Sequence, residues 1–516
     1  MKLTKVLFAA TLLVSAFLVG CADEKEEYFD KFEGMSLRAW MTQHHPELLE
    51  NYHVDGDYGF YFDILNLGET STSSPIANED MWVRFDLSAR DLNGNIVLTR
   101  DAHEAKLLNT FTKNTRYIPY YRFCGKGNSE FLEGAYLAMR SKLHMGDQYY
   151  DRYKALRGFT SQDVNLREGS KVVLYLPSVM IGADGIEGSG GYEGQANLTA
   201  NRPVRLEMTI CDTVKNPLEE EGTIIDAFCM KNGGLEIYNK EKNPIPKDSL
   251  SEKHPLNPAS ARWVSASDTI AHVYVNHRFD PKTDLMNFPN RYNVGFAPYN
   301  DLDLDKKISE ALVNRFHKDK PYVGVNQLAA DSVTMDGNSK IWYIGRFTDG
   351  FIFDTNIDEV KELIYDKGYA EGAALDYMPS SGSLIKAFYY SVPNLRYGQW
   401  ASFITISTQA YGAAGKQGST TTSTSGGSSN YDYFNYLNYV NNYYNGYYGG
   451  YYDNYYGGMG GYYGGYYDNY YGGMGGYGGM MGNQTPTVTT TTVTTEIPSF
   501  EPLIFEIYIE PKASQN

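Results

Sequence analysis

The sequence predicts an α+β protein of more than one domain, and three observations carry that expectation. Segments such as MWVRFDLSARDLNGNIVLTRD (81–101) and AHVYVNHRF (271–279) alternate apolar and polar residues with the period of a half-buried strand. Other stretches, among them the one holding Ile308, Leu312 and Phe316, set apolar residues on one helix face. At 516 residues the chain is long enough for two to four domains.

From the N-terminus, Lys2 and Lys5 precede the apolar run VLFAATLLVSAFLVG, which has the length of a secretory leader and is too short for an ordinary membrane span. Its end, Leu18-Val19-Gly20-Cys21, resembles a bacterial lipobox and implies cleavage before Cys21 and lipidation of that thiol. The expectation is therefore a signal peptide over 1–20 and an acidic tether over 21–34. The protein would be anchored in the cell envelope by lipid, most simply in the outer membrane, on its periplasmic or its cell-surface face.

A helix around Leu37, Trp40 and Met41 leads to a strand near 58–66, then to a hairpin whose Asn93-Gly94 suits a two-residue turn. FLEGAYLAM (131–139) reads as a helix, and REGSKVVLYLPSVMIGADG (167–185) and NRPVRLEMTI (201–210) as strands with a loop between them. NPLEEEGTIIDAFCMKNGG (216–234) carries proline and acids ahead of an apolar run at helical spacing, and 239–258 is a Lys/Pro/Ser-rich linker.

The C-terminal half holds the most specific pattern. YIGRFTDGFIFDTN (343–356), Leu384-Ile385-Lys386-Ala387-Phe388, Ala410-Tyr411-Gly412, Ile497-Pro498 and Phe505 occur in that order. As a set they resemble the FKBP-type peptidyl-prolyl cis-trans isomerases. The resemblance implies two FKBP-like domains, each a twisted antiparallel β-sheet wrapped on a short helix, over 35–215 and over 321–418 with 491–513. Residues 216–320 would connect them. The first copy is degenerate: Ala135, Ile181 and Leu206 stand at its aromatic positions, and Leu98-Thr99 where Asp354 is expected.

By the resemblance, Tyr343, Asp354 and Tyr411 would be the catalytic groups. Phe353, Leu375, Leu384, Ile385, Phe388, Ile497 and Phe505 would line a proline pocket, with Phe388 in place of the family's tryptophan and Leu375 in place of a phenylalanine. IDEVKELIYDKGY, just before Leu375, reads as an extra short helix. The chemistry needs no nucleophile, metal or cofactor, because rotation of an X-Pro bond only has to be freed from amide resonance. The partners implied are proline-containing unfolded or extended polypeptides.

Between the flap residues lies a low-complexity insertion, 419–490, in which YYDNYYGGMGGYYGG (451–465) recurs with a period of fifteen. Dense glycine and the absence of aliphatic residues predict disorder, with tyrosine offering contact surface for clients or for self-association.

Other function classes find little support. A net charge of -17 leaves no basic footprint for nucleic acid. Asp301, Asp303 and Asp305 mimic the start of a calcium loop, but Lys306 takes the glycine position and Leu312 that of the closing Glu, so no calcium site is expected. Cys124, Cys211 and Cys229 are too few and too irregular for a disulfide framework. The sequence thus predicts an envelope isomerase and chaperone. The alternative is a non-catalytic surface lipoprotein that uses the scaffold and the Tyr/Gly arm for binding.

Overall fold

The computed structural model describes residues 32–181, 202–237, 261–284, 302–318, 339–425 and 488–511, apart from a few positions within these ranges, together with Phe288, Ser332 and Val333. The leader, Cys21, most of the acidic tether, the linker 239–258 and residues 426–487 of the insertion lie outside the described residues. The chain groups into two compact units. The first runs through Thr223 and takes in Glu496–Ser499; the second holds the other described residues from Ile224.

In the first unit a helix over residues 32–44 (α1) precedes β1 (Tyr52–Asp55), β2 (Tyr58–Leu67), β3 (Met81–Asp91) and β4 (Ile96–Thr99). Then come α2 (Ala102–Leu107), β5 (Tyr120–Gly125), β6 (Asn128–Ser129), α3 (Glu133–Arg140), β7 (Leu143–His144), α4 (Asp147–Arg157), β8 (Asp163–Val164), β9 (Ser170–Leu176) and β10 (Val204–Val214). The main sheet has the order β1-β2-β9-β10-β3-β5-β6, with β4 also on β3, and all its pairs are antiparallel. Leu37 and Met41 of α1 and Ala135, Ala138 and Met139 of α3 are buried in the same apolar core as Phe60, Phe62, Leu174 and Leu206 of the sheet.

After α5 (Pro217–Lys231), the second unit repeats this plan. Its strands are β11 (Leu235–Glu236), β12 (Trp263–Ser265), β13 (Val273–Asn276), β14 (Ser339–Phe347), β15 (Ile352–Thr355), β16 (Leu375–Tyr377), β17 (Trp400–Thr405) and β20 (Leu503–Ile509). Its further helices are α6 (Leu302–His317), α7 (Asp358–Ile364) and α8 (Lys386–Ser391). The order is β11-β12-β13-β17-β20-β14-β15, with β16 on β14, so the central run β13-β17-β20-β14 matches β2-β9-β10-β3. Strands from the 216–320 stretch therefore take part in this sheet.

The ends of the insertion correct the expectation of disorder. Ser419–Ser425 (β18) and Val488–Thr494 (β19) pair antiparallel as a separate two-stranded ribbon. Their Thr, Ser and Val residues favour extended backbone, unlike the glycine-dense stretch between them.

Both units use one hairpin device. In the first, Gly94 N–H bonds Asp91 C=O, Asp91 N–H bonds Asn95 C=O, and Gly94 has φ 91°. In the second, Gly350 N–H bonds Phe347 C=O, Phe347 N–H bonds Phe351 C=O, and Gly350 also has φ 91°. Asp349 Oδ1 adds an acceptor for Phe351 N–H at 3.0 Å. An arginine one residue before each turn reaches the glycine carbonyl, Arg90 at 3.4 Å and Arg346 at 3.3 Å.

Arg346 does more in its own unit. It lies on the sheet face that receives α6 and pairs with Asp305 of that helix at 3.2 Å and with Glu506 of β20 at 3.0 Å. Asp305 thus belongs to a buried ion cluster between helix and sheet, within a helix and not a calcium loop. Ile308 and Leu312 of α6 are buried in one cluster with Trp342, Trp400 and Tyr508, and Phe316 packs against it.

The opposite face of β14 carries Tyr343, Gly345 and Phe347. A Cβ built on Gly345 would stand 2.6 Å from Phe353 Cζ, so this residue must be small for the Phe353 ring to lie where it does. In the first unit the same register position is Ala89, opposite Leu206 as Gly345 is opposite Phe505. Gly345→Ala should lower the stability of the protein by about 1–3 kcal/mol, measured by chemical denaturation, through displacement of the Phe353 ring.

Candidate active site

A strand normally sends consecutive side chains to opposite faces. Phe353 and Asp354 break that rule. β14 pairs Gly345 with Asp354 and Arg346 with Ile352, leaving Phe353 as the extra residue of a β-bulge. The consequence is that Phe353 lies against Gly345 while Asp354 accepts a hydrogen bond from Tyr343 Oη at 2.7 Å, both on the face away from α6.

Around this bulge the rings interlock. Phe353 and Phe388 each meet Phe505 edge to face, at 5.7 and 5.6 Å between centroids, and Phe403 stacks on Phe505 at 5.0 Å. Phe388 reaches the cluster because Ile385 caps the start of α8, so that Phe388, three residues on, lies on the sheet side of the helix. Tyr343 lies 6.1 Å from Phe505, and Tyr411 meets Phe353 edge on at 6.5 Å. Phe353, Phe388, Phe403 and Phe505 are buried and form a floor; Asp354 and Tyr411 beside it are half-buried and form its lip, and Leu375 and Ile385 are half-buried as well.

Tyr411 sits in a pinned loop. Ser407 C=O accepts from both Ala410 N–H and Gly412 N–H at 2.9 Å, and Phe500 N–H bonds Ala413 C=O at 2.9 Å. Gly412 has φ 88°, which a side chain would resist. Burial, and next the negative charge of Asp354, raise the Tyr411 pKa well above that of free tyrosine. The phenol thus stays protonated, able to donate, across the physiological range.

The cluster therefore contains six of the residues singled out in the sequence: Tyr343, Phe353, Asp354, Phe388, Tyr411 and Phe505. Leu384 is buried beside the start of α8. Leu375, on β16, pairs with Ile341 of β14, and it is Tyr377, two residues on, whose hydroxyl donates to the Phe388 carbonyl at 3.4 Å. Ile497 is buried in the Glu496–Ser499 segment, which groups with the first unit, where Glu496 pairs with Arg100 at 2.5 Å and Arg122 at 3.4 Å. Cys21 lies outside the described residues. Sequence reasoning missed Phe403, whose only signal was alternation along QWASFITIS.

Strand register identifies the matching positions of the first unit. Tyr343, Phe353, Asp354, Phe403 and Phe505 correspond to Leu87, Val97, Leu98, Leu174 and Leu206, and α3 sets Ala135 where α8 sets Phe388. Every ring and the carboxylate are replaced by aliphatic side chains. Among the described residues no grouping of His, Cys, Asp and Glu could hold a metal ion, and Cys124, Cys211 and Cys229 are unbridged.

No protein-family model matches the sequence, and no curated protein matches it. Solved structures similar to the chain include the three FKBP domains of wheat FKBP73, at 9% identity over 88% of this chain and 95% of that one, with a TM-score of 0.18. A peptidyl-prolyl cis-trans isomerase from Pseudomonas syringae pv. tomato matches at 14% identity over 36% of this chain and 96% of that one, TM-score 0.21. FkpA from Escherichia coli matches at 11% identity over 37% of this chain and 62% of that one, TM-score 0.21. Such scores are too low to carry an argument about fold or activity, and the functional reading stands on this chain's own residues.

The placement of Asp354 can be checked through its neighbour. In Asp354→Asn, Tyr411 should ionise at lower pH than in the parent but still above about 10, because burial is the larger cause and remains. The measurement is a tyrosinate difference titration against Tyr411→Phe. The fold holds this proton more tightly than the unfolded chain does, so its contribution to stability is complete below about pH 10 and fades as the pH rises beyond it.

Proposed function

We propose that this chain is a peptidyl-prolyl cis-trans isomerase and chaperone of the cell envelope, with catalysis in the second unit and a lipid anchor at Cys21. The observation that carries the reading is the bulge at Phe353. It gathers a phenylalanine floor, a carboxylate and two tyrosine hydroxyls on one sheet face, and the corresponding positions of the first unit have none of them.

The chemistry would be non-covalent. A planar X-Pro amide is more dipolar than its twisted form, so an aromatic, water-poor cleft disfavours the ground state relative to the transition state. The barrier to be lowered is about 18–20 kcal/mol. Phe353, Phe388 and Phe505 would hold the pyrrolidine ring, Tyr411 would donate to the carbonyl of the twisted amide, and Asp354, oriented by Tyr343, would fix the peptide at the lip. The first unit, with an aliphatic core at the same positions, would serve as scaffold or client-holding module, and the 419–490 insertion as a tethering arm.

A second reading is favoured by the closeness of the floor. Phe353, Phe388 and Phe505 are only 2–3% exposed, and Phe353 and Phe388 both pack on Phe505, as expected of a filled core in a non-catalytic binding lipoprotein.

Turnover of a proline tetrapeptide by the full chain separates the two readings. The isomerase reading expects acceleration above the uncatalysed rate and a fall of about tenfold or more in kcat/KM for Tyr411→Phe, with the fold retained by circular dichroism. No acceleration by the parent chain would sink it and leave the binding reading standing. Cys21→Ser should release the protein from the membrane fraction or block leader cleavage; unchanged processing and retention would remove the anchor from the proposal.

A further inference from the structure

The loop that carries Tyr411 is attached to a strained residue outside the aromatic cluster. Strands β13 and β17 pair from Asn276 with Ser402 to Val273 with Thr405. Beyond that last pair the ladder gains one more bond, in which Ile406 N–H donates to the His272 carbonyl at 3.1 Å. Ile406 leads into the helical turn Ser407–Gln409, and its own carbonyl accepts from Gln409 N–H at 3.0 Å and from Thr405 Oγ1 at 3.2 Å. Ser407 C=O then holds the amides of Ala410 and Gly412, on either side of Tyr411. A short chain of backbone bonds thus links the place of Tyr411 to His272.

His272 has φ 57°, a left-handed backbone that a residue with a side chain seldom adopts and keeps only where its surroundings enforce it. The enforcing contact comes from α5. Asp226 Oδ1 lies 3.1 Å from His272 Nδ1 and accepts from Tyr274 Oη at 2.9 Å. A carboxylate only accepts, so the imidazole donates from Nδ1. Tyr274 is buried, which gives Asp226 a fixed partner in the core and makes it a firm anchor for the imidazole. Asp226, His272, Tyr274 and Tyr411 all belong to the second unit.

The first unit does without this device. Val275 faces Phe403 as Phe62 faces Leu174, which puts Gly59 at the register position of His272. After β9 the first unit continues with residues 177–181, PSVMI, which include no tyrosine. Glycine takes left-handed backbone without strain. The strained histidine therefore occurs in the unit that has a tyrosine to place.

We propose that Asp226 and His272 are positioning residues for Tyr411. The bond to Asp226 keeps the His272 backbone left-handed, and the His272 carbonyl fixes the turn that sets Tyr411 against Phe353. The inference rests on Tyr411 acting as the donor of the proposed isomerase site. A donor of that kind serves the twisted amide more than the bound ground state, so loosening the turn lowers kcat and leaves KM nearly unchanged.

The test compares the full chain with His272→Gly, Asp226→Ala and Asp226→Asn. His272→Gly removes the link to Asp226 and relieves the strain, which offsets the added freedom of the unfolded chain, so its denaturation midpoint should stay close to that of the parent. Amide hydrogen exchange over 407–412 should be about tenfold faster, with β14 and β20 unchanged. Turnover of a proline tetrapeptide should show kcat lower by about three- to tenfold and KM within about twofold. Asp226→Ala should reproduce both effects, and Asp226→Asn, which keeps an acceptor oxygen, should largely restore the parent behaviour. Parent-like exchange in His272→Gly overturns the proposal, and so does parent-like kcat where the parent is active. Equal losses in Asp226→Ala and Asp226→Asn, or faster exchange throughout the second unit, also overturn it. If the parent turns over no peptide the isomerase reading ends, and exchange over 407–412 alone decides whether Asp226 and His272 position Tyr411.

Discussion

The candidate site depends on a single irregularity of backbone pairing. If β15 matched β14 residue for residue, Phe353 and Asp354 would point to opposite faces, and either the ring or the carboxylate would be lost to the side that receives α6. The bulge puts both on the same face, and Gly345 leaves the space into which the ring fits. Phe505 then has an edge-on neighbour, and Tyr343 has a carboxylate for its hydroxyl. On the reverse face Arg346 holds the turn through Gly350 and the flanking strand through Glu506, so the bulge is braced from behind by a buried charge cluster. Removing one partner of such a cluster leaves an uncompensated charge in the interior, a cost of several kcal/mol, which makes the brace a rigid one.

The first unit shows what the same framework is without that chemistry. Its bulge, glycine turn and turn-holding arginine are all present, at Val97, Gly94 and Arg90. With Leu87, Val97, Leu98, Ala135, Leu174 and Leu206 on the site face, it closes into an ordinary apolar core. The backbone device is therefore a property of the fold, and any chemistry lies in the side chains it displays.

Much of this was readable in the sequence because it is local. The Asp349-Gly350 turn, the alternation of β14, the start of α8 and the tyrosine of the 410–412 loop each lie within a few residues of their signal. What escaped depends on partners far along the chain. Phe403 joins the cluster only because β17 pairs with β20, a hundred residues away and across the insertion. The bulge is a matter of register between strands and leaves no mark on the text FIFD. The place of Asp305 in a buried ion cluster could not be foreseen, because its partner, Arg346, is forty-one residues on. Composition also misread the ends of the insertion, where Thr and Val form strands beside a glycine-rich tract that does not share their propensity.

The account's central claim is that the side chains on the bulge, and not the framework, would confer the proposed activity. Exchange spectroscopy by NMR on an X-Pro peptide, with the full chain present in catalytic amount, tests it when the first unit's residues are placed in the second as Tyr343→Leu, Phe353→Val and Asp354→Leu. The parent chain should bring cis–trans exchange from the uncatalysed tens to hundreds of seconds into the range of seconds or faster, and the substituted chain, still folded, should leave it at the uncatalysed rate. Equal exchange with the parent and the substituted chain would contradict the account.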